Sequence, residues 1–145
     1  MADKDTQNEA NIRRATSDLY YSLFHAICHA LVEPLIGDPE DDAYVGHYRA
    51  FYRQADHKLV ERRCREFAQN KGYSAELRNF AKAVITQKNK RSLADYDPLE
   101  RFSISVIKND IETCETRLKE FWSVSIARRA EFARYVALAR YRFGD

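Results

Sequence analysis

Ala15, Leu19, Leu23, Ile27 and Leu31 recur every four residues, which lines them along one side of a helix, so the pattern predicts a first helix from about Asn8 to Val32. Glu33-Pro34 ends it, because the residue before a proline is pushed out of helical space. The stretch 36–45, with Gly37, Pro39 and the acidic run Glu40, Asp41, Asp42, reads as an exposed loop. Tyr48, Phe51, Tyr52, Ala55, Leu59, Cys64 and Phe67 then mark one helix from about Gly46 to Gln69, stopped at Asn70-Lys71-Gly72. Ser74 is placed to cap a third, whose Leu77, Phe80, Ala81, Val84 and Ile85 face inward before the chain turns polar at Gln87. Asp97-Pro98 breaks the chain. Ile104, Ile107, Ile111, Cys114, Leu118 and Phe121 form the clearest helical seam, and a last helix is expected over about Ser125 to Arg142, with Ile126, Ala130, Ala133 and Ala137 on a small-residue face.

These patterns predict an all-α fold, an antiparallel bundle of four to five helices in a single domain spanning 1–145, with residues 1–7 as a flexible extension and 36–45 as its exposed loop. Four glycines and three prolines are too few for the tight turns of an all-β domain. No apolar run approaches the roughly 20 residues of a membrane span. Met1 to Ala10 is polar rather than a basic segment leading into a signal-peptide core, so a cytoplasmic protein without a membrane partner is expected. Cys28, Cys64 and Cys114 are odd in number and set among apolar residues, which reads as reduced core thiols.

The formal charge of +2 is too small to argue for nucleic acid, but its distribution is uneven. Arg49, Arg53, Lys58, Arg62, Arg63 and Arg65 gather around the second helix, and Arg128, Arg129, Arg134, Arg140 and Arg142 in the last. They are compatible with two basic surfaces or with ordinary solvated helix faces.

The sequence has no Gly-rich phosphate loop, no Gly-x-Ser-x-Gly elbow, no His-Glu-x-x-His and no Glu-x-x-His pairs. His25 and His29 share a helix face, but no neighbouring carboxylate or cysteine motif completes a metal site. What remains is Lys90-Arg91-Ser92-Leu93-Ala94-Asp95-Tyr96-Asp97-Pro98. Arg91 and Asp95, four apart, share a helix face that continues Val84 and Lys88 and should emerge where the core ends. The segment reads equally as a site or as an intrahelical ion pair followed by an Asp97 cap.

Arg13-Arg14-Ala15-Thr16-Ser17-Asp18-Leu19-Tyr20-Tyr21-Ser22-Leu23-Phe24-His25 resembles the first helix of many prokaryotic HEPN-like proteins. Tyr52-Arg53-Gln54-Ala55-Asp56-His57 is similar to that group's Tyr-Arg-x-Leu-Asp-His stretch, and Arg91-x-x-Ala94-Asp95-Tyr96-Asp97-Pro98 to its Arg-x-x-Ala-Asp-Tyr-Asp-Pro signature. The resemblance implies a helical homodimer directed at RNA, in which an arginine and a histidine four to six residues later, from each subunit, promote cofactor-free and metal-independent attack of the ribose 2′-hydroxyl on the adjacent phosphate. Here Arg91 fits the arginine, Ser92 replaces its usual polar neighbour, and Tyr96 stands where the shortest motif has histidine. A phenol near pKa 10 stays protonated where an imidazole near 6.5 exchanges a proton, so Tyr96 is expected to donate a hydrogen bond rather than act as a base. His57 is the candidate for the missing acid or base. Asp95, Asp97, Ser92 and Arg14 are the expected supporting residues, with Arg14 pairing with Asp95 or Asp97. The implied roles are a toxin-like endoribonuclease of a defence or toxin-antitoxin system, or a non-catalytic interaction module acting through a partner such as an antitoxin or defence component. A third reading makes Tyr96 the acceptor of a regulatory nucleotide. Tyr20, Tyr21, Tyr48 and Tyr52 are assigned to the core rather than to bases.

Overall fold

The computed structural model describes residues 2–97 and 102–138, of residues 2–7 the backbone only. Six helices make up the described chain: α1 (Ala2–Val32), α2 (Asp42–Gln54), α3 (His57–Ala68), α4 (Ala75–Tyr96), α5 (Ile104–Ser123) and α6 (Ile126–Ala137). There is no strand among the described residues.

α1 is the axis of the helical bundle and packs against α2, α4, α5 and α6. Its predicted stripe is buried through Leu23, Ile27 and Leu31, and so are Tyr20, Phe24, Ala26, Cys28 and Ala30, because neighbours cover more than one side of it. Thr16, fully buried, returns its hydroxyl to the Ile12 carbonyl at 2.9 Å, so the polar atom is not orphaned. The first helix begins at Ala2 rather than Asn8.

The second predicted helix is two. Asp56 turns its carboxylate onto the amides of Lys58 and Leu59, at 3.0 and 3.2 Å, and so caps a new helix, while Ala55 adopts extended backbone. The break lets two apolar stripes address different partners: α2 lies on α1, whereas α3 packs on α4 and α6. Intervals of three to five residues fit one helix or two, which is why the pattern concealed the joint. The loop is also shorter than 36–45, since Asp41 caps α2 through the Ala43 amide at 2.8 Å and Tyr44 is already buried.

α4 carries past the polar change at Gln87 to Tyr96. One side of it stays against the bundle there, where Gln87 and Ala94 are buried and Lys90 reaches Asp110 of α5 at 2.7 and 2.8 Å. Phe67, Phe80, Phe121 and Phe132 close the far end of the core, with Phe80 and Phe121 stacked at 4.2 Å and Phe67 edge-on to Phe132 at 4.8 Å. The three cysteines are buried and unpaired with one another, and burial pushes the Cys28 and Cys114 thiols up to about 12 and 11. α6 is described to Ala137, so the expected extension through Arg140 and Arg142 lies outside the described residues. Among the described residues no helix is long and apolar enough to cross a membrane.

Candidate functional site

Beyond Gln87 the residues of α4 divide between two faces. Lys88 and Arg91 turn toward the bundle, with the exposed Asp95 beside Arg91, whereas Asn89, Ser92, Leu93, Tyr96 and Asp97 line a shallow surface hollow. Tyr96 lies five residues after Arg91, about 140° around the helix, and is 73% exposed. Arg91 and Tyr96 therefore stand on different sides of α4, and Ser92 goes with Tyr96.

Arg91 instead lies over aromatic rings of α1, its guanidinium carbon 5.2 Å from the Tyr21 centroid and 5.9 Å from that of Tyr20. Such rings attract a cation through their negative faces. Its Nε stands 3.2 Å from the Asp95 carboxylate, an ion-pair distance whose alignment does not make a hydrogen bond. The two terminal nitrogens make no hydrogen bond among the described residues, although the Arg91 side chain is only 17% exposed. This leaves a partly desolvated fork with donors to spare.

His57 comes to the same two rings, 5.5 Å from the Tyr20 centroid and 6.0 Å from that of Tyr21, with Phe24 at 4.8 Å. Its Nδ1 lies 2.6 Å from the Tyr20 hydroxyl. Tyr20 is fully buried with no other hydrogen-bond partner among the described residues, so its hydrogen goes to Nδ1; the opposite arrangement would strand a buried O–H. Neutral His57 consequently carries its proton on Nε2. Burial, then the charges of Arg91 and Lys88, lower its pKa, and burial raises that of Tyr20, so both are neutral at pH 7. Lys88 is held by Glu61 at 2.9 Å, which together with Arg65 keeps the Glu61 carboxyl below its usual range.

The site thus joins Arg91 and His57 through Tyr20 and Tyr21. Sequence spacing gave no sign that the tyrosines of α1 would position both groups, because the helix periodicity marks Tyr20 only as core. The supporting set is also revised. Arg13, not Arg14, ties α1 to the end of α4, donating to the carbonyls of Ala94 and Asp97 at 3.0 and 2.9 Å. Arg14 is exposed, one position and about 100° away around α1. The Asp97 carbonyl accepts from Arg13, and Asp95 answers Arg91.

Of the basic residues, Arg129 is buried against Glu33, Arg63 donates to the carbonyls of Tyr135 and Leu138, and Arg65 and Arg128 pair along their own helices. Arg49, Arg53, Lys58 and Arg62 remain exposed on α2 and α3, so the basic surface lies there. His25 and His29 are hydrogen-bonded through Nδ1 to the hydroxyls of Tyr48 and Tyr44 respectively, a ladder between α1 and α2. Compared with family models, curated proteins and solved structures, the chain matches none, so its function rests on this geometry and on the resemblance of its three motifs.

Proposed function

We propose that the chain is an RNA-directed protein of the HEPN-like kind, an antiparallel bundle working as a homodimer, in which Arg91 and His57 engage a phosphodiester and favour its metal-independent cleavage by the ribose 2′-hydroxyl. One observation carries the reading: the Arg91 fork, with unused donors, is held against Tyr20 and Tyr21, the two rings on which His57 also packs. A planar guanidinium matches two phosphate oxygens, and its charge grows in value as negative charge builds on them during attack. His57, neutral with its proton on Nε2, is placed to offer a further hydrogen bond to the same group. The exposed setting of Tyr96 supports a second reading, in which the hollow around Leu93 and Tyr96 binds an antitoxin or defence partner and the domain is not itself catalytic.

The test incubates wild type, Arg91→Ala, His57→Gln and Tyr96→Phe, matched for folding, with total RNA and tRNA in EDTA. The expected result is cleavage to 2′,3′-cyclic phosphate ends by wild type and Tyr96→Phe, with losses on the order of 100-fold in Arg91→Ala. Folded wild type that neither cleaves nor binds RNA overturns the proposal in favour of the partner reading.

A further inference from the structure

α2 sets a row of aromatic rings along the outside of α1. Tyr44, Tyr48 and Tyr52 follow one another at 6.1 and 6.5 Å with planes within 22° and 16°. The exposed ring of His25 lies nearly parallel to the last two, 5.9 Å from Tyr48 at 13° and 5.6 Å from Tyr52 at 11°. The Tyr48 hydroxyl bonds His25 Nδ1, so these rings are fixed before any ligand arrives. His25, Tyr48, Tyr52, Arg49 and Arg53 together line a hollow of about 150 Å³. That is well below the roughly 300 Å³ at which pockets for larger ligands begin, and suits one flat ring.

The two arginines are the second part of the argument. Arg49 and Arg53 stand four apart on an exposed helix face, a like-charge spacing that works against the helix, and no carboxylate neutralises either of them among the described residues. Parallel rings flanked by unpaired guanidinium groups are what a single nucleic-acid strand requires, because every base has a π-face and every linkage a negative charge. A duplex, whose bases are already stacked, cannot use them.

We infer that His25, Tyr48 and Tyr52, with Arg49 and Arg53, form a stacking platform for an unpaired base of single-stranded RNA and its flanking phosphates. The inference rests on the RNA-directed reading and adds where the strand is held. Phe24, buried beneath, packs on both Tyr52, at 5.6 Å, and His57, at 4.8 Å, so the platform and the His57 ring are supported by the same core side chain.

The test measures fluorescence anisotropy of a labelled, mixed-sequence single-stranded RNA on the order of 10 nucleotides across a salt series, with the full chain. Tyr52→Leu keeps an apolar cover on Phe24 and removes the ring; it is expected to weaken binding roughly 5- to 100-fold. Arg49→Gln with Arg53→Gln, both on the surface and harmless to folding, is expected to flatten the slope of log affinity against log salt by about 1.4, two phosphates on a single strand. The same RNA annealed to its complement should bind more weakly than the single strand. If wild type binds the RNA and both variants match it in affinity and salt slope, the platform is wrong while the RNA reading stands. If wild type binds no RNA, both fall together.

Discussion

Arg129 gives the sharpest test of how this bundle is held together. Its side chain is 8% exposed, and its fork takes both oxygens of Glu33 at 2.9 Å each, tying α6 to the end of α1. The same guanidinium donates to the carbonyls of Trp122, at 3.1 Å, and Val124, and lies 5.0 Å from the centre of the Trp122 ring, which fixes the turn between α5 and α6. Arg129→Met keeps much of the stem's volume and removes every one of these bonds. Breaking a buried pair from one side costs about 3 to 5 kcal/mol, because the abandoned charge stays behind. Glu33 is 17% exposed and has His29 Nε2 at 4.0 Å, so water and the imidazole relieve part of that cost and place the loss near 3 kcal/mol. In a chain of this size such a loss lowers the melting temperature by about 6 to 12 °C. The assay is a double-mutant cycle by urea and thermal melting with Glu33→Gln. The double variant should be more stable than Arg129→Met alone, because the stranded charge is gone, with a coupling above roughly 1 kcal/mol. A cycle that closes additively, or an Arg129→Met loss under about 1 kcal/mol, would refute the argument that this pair anchors α6.

Two further outcomes follow from the site. His57 is held neutral in the folded chain with its pKa below the ordinary 6.5, so below that pH the unfolded chain takes up a proton that the folded chain refuses. Stability should fall as pH drops under 6.5, by at most about 1.4 kcal/mol per pH unit for one proton, and denaturation of His57→Gln across pH should show a shallower slope; equal slopes would mean His57 titrates normally. Arg13→Ala should cost roughly 1.5 to 3 kcal/mol by denaturant melting, whereas Arg14→Ala should stay within about 0.5 kcal/mol, and equal losses would contradict the placement of Arg13 on the Ala94 and Asp97 carbonyls.

The sequence alone determined the class of the fold, because helix periodicity is a local property: one face per turn is written in Leu19, Leu23, Ile27 and Leu31, and in Ile107, Cys114 and Phe121, whatever those faces meet. It located Arg91 and His57 as chemistry worth testing for the same kind of reason, since residue type and motif are read along the chain. Tertiary structure decided which side each residue presents and to whom. The joint at Ala55 and Asp56 depends on α2 and α3 having different neighbours. The exchange of Arg14 for Arg13 depends on which of two adjacent side chains, about 100° apart, meets the end of α4. Tyr96 was adjacent to Arg91 in the motif and distant from it in space because five residues of helix rotate a side chain onto another face. Tyr20 brought Arg91 and His57 to one place, 34 residues apart in sequence, because a buried hydroxyl needs a partner, and only the fold, which packs both α1 and α3 on α4, could supply one.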